Sequence, residues 1–257
     1  MTNRVGHIIE LSLEIAKKQI KLTNEGSYLG ILWYFISPVF MFVLLLFIYV
    51  EVFTPILGNT VQYYPLYLLL GLIIYNFFRS VTVEATRLVY DNRFLIKSIK
   101  FPYMALVGAS IIRIIVNSVI EMAIFSVVMY YYHISLINVL FYPIIFLPFF
   151  LFVFGTALFL AAVTIFFLDL QGLWGSFVHV LWFATPIFYL STERFGLSLF
   201  NAVNPLYYYI TSARELIIYS TPPPPWMWLG MIGFALCSLT IGTFVFSRLE
   251  NQFAEKC

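Results

Sequence analysis

The chain has 257 residues, of which 62% are hydrophobic and 10% charged, with a net charge of +2. Soluble domains run at roughly 45–50% and 25%, so a soluble fold could not hide this much apolar surface and the excess must face lipid. No basic run suggests nucleic acid, and Cys237 and Cys257 are spaced for neither a disulfide framework nor a metal site.

Residues 4–22 form the first predicted element. At 100° per residue, Val5, Ile8, Ile9, Ser12, Leu13, Ala16 and Ile20 gather on one face, and Glu10, Glu14, Lys17, Lys18 and Lys21 on the other. This pattern predicts an amphipathic helix lying in the membrane interface, with packing on a soluble partner as the alternative. Acidic residues precede the first long apolar run, which speaks against a cleavable signal peptide.

A hydrocarbon core of roughly 30 Å takes about 20 apolar residues per helix. Six spans are expected, at 31–53, 62–83, 103–130, 138–168, 173–191 and 226–247. Pro38 falls in the first turns of the first span, where a missing backbone donor costs least. Pro143 and Pro148 predict a bend or a late start in the fourth. The loop 84–102 is polar and basic. It is either a topogenic loop or a short cytoplasmic helix that takes force from a soluble partner. The stretch 193–220 is too polar for a span and too apolar for a free loop, and Asn204-Pro205 breaks it in two. Two short helices dipping into the outer leaflet would fit, as would two lying flat on it.

Orientation follows from Lys and Arg. Arg4, Lys17, Lys18, Lys21, Arg79, Arg87, Arg93, Lys97, Lys100, Arg248 and Lys256 fall on one side of such a topology, and only Arg194 and Arg214 on the other. Both termini are therefore expected in the cytoplasm, with 53–63 outside. The whole chain reads as one all-α integral membrane domain.

Candidate chemistry is sparse. No G-x-x-x-x-G-K-[ST] occurs, so ATP is not bound in that way. The acids Glu51, Glu84, Glu121 and Asp169 are scattered and do not form a metal site or a transferase centre. Arg113 and Glu121 share the third span, about 80° apart on a straight helix, and structural pairing with neighbouring helices is the favoured expectation for both. Aromatics make up 20% of the chain. Along the fifth span Trp174, Phe177, Leu181, Thr185 and Phe188 share one face, with Trp182 and Tyr189 to one side. Such a face could stack on sugar rings along an export path, or serve helix packing.

Four stretches carry a resemblance over essentially the whole length: Leu29-Gly30-Ile31-Leu32-Trp33 with Pro38; Asn92 to Pro102; Thr185-Pro186-Ile187-Phe188-Tyr189; and Asn204-Pro205-Leu206 with Arg214. Together they resemble permease subunits of the type-two ABC exporter family, which includes O-antigen, capsule and teichoic-acid exporters. The resemblance implies a homodimer of permease chains with a channel between them, two separate ATP-binding cassette subunits that bind ATP and Mg, and no cofactor on this chain. It implies a lipid-linked polysaccharide substrate and an inner-membrane location. Segment 84–102 becomes the coupling region, with Arg87, Asp91, Asn92, Arg93, Lys97 and Lys100. Segment 193–220 becomes a pair of outer gate helices, with Asn204, Pro205 and Arg214. Family members often carry Arg-Asp before the fifth span, where this chain has Leu168-Asp169. Export of a capsule polymer, teichoic acid or hydrophobic drug, an ATP-independent channel or scaffold, and a membrane transferase are the alternatives.

Overall fold

The computed structural model describes residues 2–24, 32–53, 62–94, 102–189 and 200–253. Among these there are eight main helices and no strand: α1 (Thr2–Asn24), α2 (Leu32–Ile48), α3 (Tyr64–Asp91), α4 (Met104–Tyr131), α5 (Tyr142–Thr164), α6 (Leu170–Ala184), α7 (Pro205–Ile217) and α8 (Pro225–Leu249). Four of them, α3, α4, α5 and α8, are long and apolar enough to cross a membrane. At 17 and 15 residues, α2 and α6 are shorter. A wider π-type turn, Tyr49–Phe53, extends α2.

The bundle is built around α3. Its residues 66–75 are almost wholly buried, with Leu66, Leu68 and Leu70 fully enclosed. It packs against α2, α4, α5, α6 and α7. A helix surrounded by protein need not be uniformly apolar, and α3 carries Tyr64, Tyr67, Tyr75, Thr82 and Thr86 inward. Thr82 and Thr86 satisfy their hydroxyls on the carbonyls of Phe78 and Val83, at 2.8 and 2.7 Å. The reverse holds on α4 and α8, where Val119, Val127, Leu229, Leu236 and Phe244 point outward. Lipid can solvate that surface.

The most extensive helix pair is α5 with α8. Gly155 and Gly242 make it possible. A Cβ at Gly155 would overlap the backbone of Ser238, and one at Gly242 would overlap the carbonyl of Gly155. Small residues let membrane helices approach closely enough for dense van der Waals contact. Ser238 then donates across the seam to the Phe152 carbonyl at 2.8 Å.

The element boundaries differ from expectation in instructive ways. The second span was expected to end at 83, but α3 continues to Asp91. Polar residues end a hydrophobic run without ending a helix, so α3 continues past its apolar run. The fourth span starts late, at Tyr142 after the 3₁₀ turn Leu136–Phe141, with Pro148 inside the helix. The fifth was expected to run 173–191 and instead stops at Ala184. Arg113 is paired, as expected, and its partner is Glu84 of α3.

Helix α1 packs along α4. Ser12 and Ala16 are buried, and Ser12 fills the place that a Cβ on Gly108 would need. Ile9 and Leu13, from the same apolar face, remain about half exposed, at 54% and 44%. The apolar face is thus divided, small residues inward and large ones outward. At the other terminus Phe253 packs against Tyr103, with ring centroids 5.5 Å apart. The middle of α1 and Phe253 near the C-terminus therefore both lie beside the start of α4, at one end of the bundle.

Candidate functional site

At the opposite end of the bundle, the end of α6 meets α3 and α7. Pro186 cannot continue the helix hydrogen-bond ladder, and the residue before a proline is driven to extended backbone. Thr185 has φ −95° and ψ 136°. The chain then runs through Pro186, Ile187, Phe188 and Tyr189 without regular structure. Non-helical backbone inside an apolar layer needs partners for its carbonyls.

Every carbonyl from Ala184 to Tyr189 has one. The Tyr189 hydroxyl donates to Ala184 at 3.2 Å, and the Ile187 N–H donates to Thr185 at 2.7 Å. Arg214 of α7 donates to Pro186 and Ile187, both at 2.7 Å. Tyr64 donates to Phe188 at 2.9 Å, and Tyr67 to Tyr189 at 3.0 Å. Lower down, Tyr75 donates to the carbonyl of Val178. The broken end of α6 is thus held by Tyr64 and Tyr67 of α3 and Arg214 of α7, with Tyr75 fixing the helix further down.

Arg214 is the centre of this latch. It is 2% exposed. Its Nε donates to the Tyr67 carbonyl at 3.0 Å, and its Cζ lies 3.3 Å from the Tyr67 ring centroid. No carboxylate among the described residues pairs with it; carbonyl dipoles and a ring face hold the charge instead. The planar guanidinium fork suits several carbonyls at once, which a lysine would not. The guanidinium enters over Gly71, where a Cβ would stand 2.5 Å from Nη2.

Asn204 and Pro205 complete the cluster. Asn204 caps α7, its Oδ1 accepting from the Leu206 N–H at 3.1 Å, with Pro205 at the first helical position. Its Nδ2 donates to Thr185 Oγ1 at 3.0 Å, and that hydroxyl donates to the Leu181 carbonyl at 2.7 Å. The expected break at Asn204-Pro205 is present, between a short helical turn at 200–203 and α7. Residues 193–199 of the expected gate region lie outside the described residues.

The aromatic face expected along the fifth span divides into two. Trp174, Phe177 and Leu181 line a cavity of about 690 Å³, shared with Phe78 of α3, Phe152 and Thr156 of α5, and residues 200 and 203–206. Thr185 is fully buried in the latch and does not line this cavity. Trp182 and Phe188 pack on each other with centroids 5.1 Å apart, and Tyr189 belongs to the latch. The single continuous face is thus corrected: the helix ends before its last members can join it.

At the other end of the bundle, Arg87 and Asp91 are exposed on the last turns of α3. Asn92 Nδ2 donates to the Leu88 carbonyl at 2.7 Å and closes the helix. Arg93 lies over Tyr90, 4.6 Å from the ring centroid. Lys97 and Lys100 lie outside the described residues.

Tyr64, Tyr67 and Gly71 are the site residues that the sequence reading missed. With Tyr75 they fall at i, i+3, i+7 and i+11, one face of one helix. A stripe of hydroxyl-tipped residues flanking a glycine was the available signal.

The family model for the ABC-2 type transporter matches residues 11–218. The chain belongs to this family. Three relatives are 25% identical and are named O-antigen export system permease protein RfbA. One, from Myxococcus xanthus, aligns over 249 residues, 95% of this chain and 94% of its own length. Two, from Klebsiella pneumoniae, align over 261 residues, 99% of this chain and 98% of theirs. Membership in this transporter family, together with four apolar helices of spanning length, makes the chain a multi-pass membrane protein.

Proposed function

We propose that this chain is the membrane subunit of an ATP-driven exporter that moves a lipid-linked polysaccharide of O-antigen type across the inner membrane. The observation that carries this reading is the near-complete alignment with three permeases named for O-antigen export. In this reading α2 and α6 also cross the membrane, giving six spans, and the end of the bundle that bears α1 and Phe253 is cytoplasmic. The skew of Lys and Arg toward that end supports it. Two copies pair around the path, and each engages an ATP-binding subunit that holds the ATP and Mg. The chain itself is not catalytic.

Force would enter through Arg87, Asp91, Asn92 and Arg93 at the end of α3, with Lys97 and Lys100 beyond it, while α1 lies at the interface with Ile9 and Leu13 toward lipid. Because α3 is one continuous helix, a push at Asp91 reaches Tyr64 and Tyr67 directly. Those two residues hold the end of α6. The Arg214–Asn204 latch would be the outer gate, and Trp174, Phe177 and Leu181 one wall of the path.

Deleting the gene in its native host tests this reading. Surface polysaccharide is expected to disappear while lipid-linked polymer accumulates on the cytoplasmic face, and a plasmid copy should restore export. Normal surface polysaccharide in the deletion strain would overturn it. Loss of a capsule, a teichoic acid or drug resistance instead would redirect it to another substrate.

A further inference from the structure

We propose that Glu121 of α4 and Asn76 of α3 form a proton-binding site at mid-depth in the membrane, supplied along a ladder of polar side chains between the two helices. The inference needs only the membrane setting and is independent of what the chain exports.

The ladder follows from one antiparallel register. Glu84 of α3 bonds Arg113 of α4. Two turns further into the bundle, Asn76 and Glu121 line one cavity, and so do Ile73 and Ile124. The same register sets Ser80 opposite Asn117, midway between the two pairs. On α3 the polar residues are Asn76, Ser80 and Glu84, and on α4 they are Arg113, Asn117 and Glu121. Residues four apart share one side of a helix, so each set is a stripe, and its members rise about 6 Å apart. Three polar rungs thus lead from the Glu84–Arg113 pair into the apolar layer.

Glu121 is the informative residue. Pairing with a neighbouring helix is the expectation for it, as for Arg113, yet no Lys, Arg or His among the described residues pairs with it. If the apolar layer begins near Tyr64, Asn76 lies roughly 18 Å inside a core roughly 30 Å thick, close to its middle. A bare carboxylate at that depth is strongly disfavoured, and an ionisable group there marks a functional site. The cavity holds about 10 Å³, room for one water. Apart from Glu121 and Asn76 its walls are apolar, and Val39 and Phe42 of α2 close it. Two side chains cannot supply the roughly six or more oxygens that a divalent ion takes. A proton fits: it neutralises Glu121, and the acid O–H can then donate to the amide oxygen of Asn76. No neighbouring group takes over that role. Tyr142 of α5 stands beside Ser118 and near Glu121 and brings no positive charge. Arg79, one turn along α3, lies toward Tyr75, and Glu84 is committed to Arg113. Helix α2 contributes only apolar side chains to the cavity.

Infrared difference spectroscopy on the full-length protein in nanodiscs, at neutral pH, tests the site. The spectrum of wild type minus that of Glu121→Gln is expected to show the carbonyl band of a neutral carboxylic acid and no carboxylate band. The band should persist in sodium or potassium chloride. Glu121→Gln keeps the neutral shape and should melt at the wild-type temperature. In heavy water the band should shift as the proton exchanges. Asn117→Leu removes the middle rung and should slow that shift at least about threefold, whereas Ser126→Ala, on the same helix beyond the ladder, should leave it unchanged. A carboxylate band in place of the acid band would overturn the site. So would a large loss of melting temperature in Glu121→Gln, which would mark an ionised and paired group. Loss of the acid band on adding sodium or potassium would overturn the proton in favour of a metal cation. Exchange at the wild-type rate in a folded Asn117→Leu protein would overturn the ladder as the route.

Discussion

Replacing Arg214 by alanine is expected to remove the protein from the membrane, or to lower its melting temperature in detergent by on the order of 10 °C. The change leaves the carbonyls of Pro186 and Ile187 without a donor, while that of Tyr67, inside α3, loses only its second one. Each buried acceptor left unpaired costs about 1–3 kcal/mol, and about 1 kcal/mol is worth roughly 2–4 °C in a chain of this size. A water molecule could replace part of the loss, which sets the estimate near the lower end of the sum. Arg214→Lys keeps the charge and is expected to recover less than half of the loss, because an ammonium cannot span the same carbonyls. Asn204→Ala should cost less, about 1 kcal/mol for the lost cap. Coupling between the two substitutions in a double-mutant cycle would show that they act on one structure. An Arg214→Ala protein that accumulates and melts normally would show that the end of α6 is held by something else.

The other large effect is expected at the α5–α8 seam. Gly155→Leu and Gly242→Val should each prevent accumulation of folded protein, because the added atoms would meet backbone and not a side chain that can turn away. Overpacking a core typically costs about 1–3 kcal/mol, and backbone overlap in the most extensive helix pair belongs at or above the upper end. Gly233→Ala on the same α8 meets nothing within 4 Å and should be neutral. Membrane abundance measured by immunoblot, with fluorescence size-exclusion to report folding, distinguishes the three. Normal folding of Gly242→Val would mean that α5 and α8 are not in this contact.

Much of this architecture was legible in the sequence, because lipid imposes a simple rule. Runs of apolar residues near 20 long placed α3, α4, α5 and α8, and the last was nearly right: 226–247 expected, Pro225–Leu249 found. The errors came where hydropathy and helicity part company. Glu84 and Arg87 ended an apolar run but not α3. Pro186 ended α6 although Ile187, Phe188 and Tyr189 kept the run apolar. The second error was avoidable, since the residue before a proline disfavours helix. The division of the apolar face of α1 was not legible, because it depends on Gly108, remote in sequence. Asn204 and Arg214 were singled out, but their partners were not. Which carbonyls an arginine will serve depends on three segments far apart in the chain, and spacing within any one of them does not reveal it. Tyr64, Tyr67 and Gly71 did form a visible face, whose meaning appeared only once α6 ended against it.

The most direct test of the central claim is transport in a reconstituted system. The full-length chain, co-purified with the ATP-binding subunit from the same host, is placed in proteoliposomes loaded with lipid-linked polysaccharide. Appearance of polymer on the opposite face is followed with a sugar-specific lectin or antibody. Transport is expected to require both chains and hydrolysable ATP, and the chain alone is expected neither to hydrolyse ATP nor to move the polymer. Movement of the polymer by the chain alone, or at an equal rate without ATP, would contradict it.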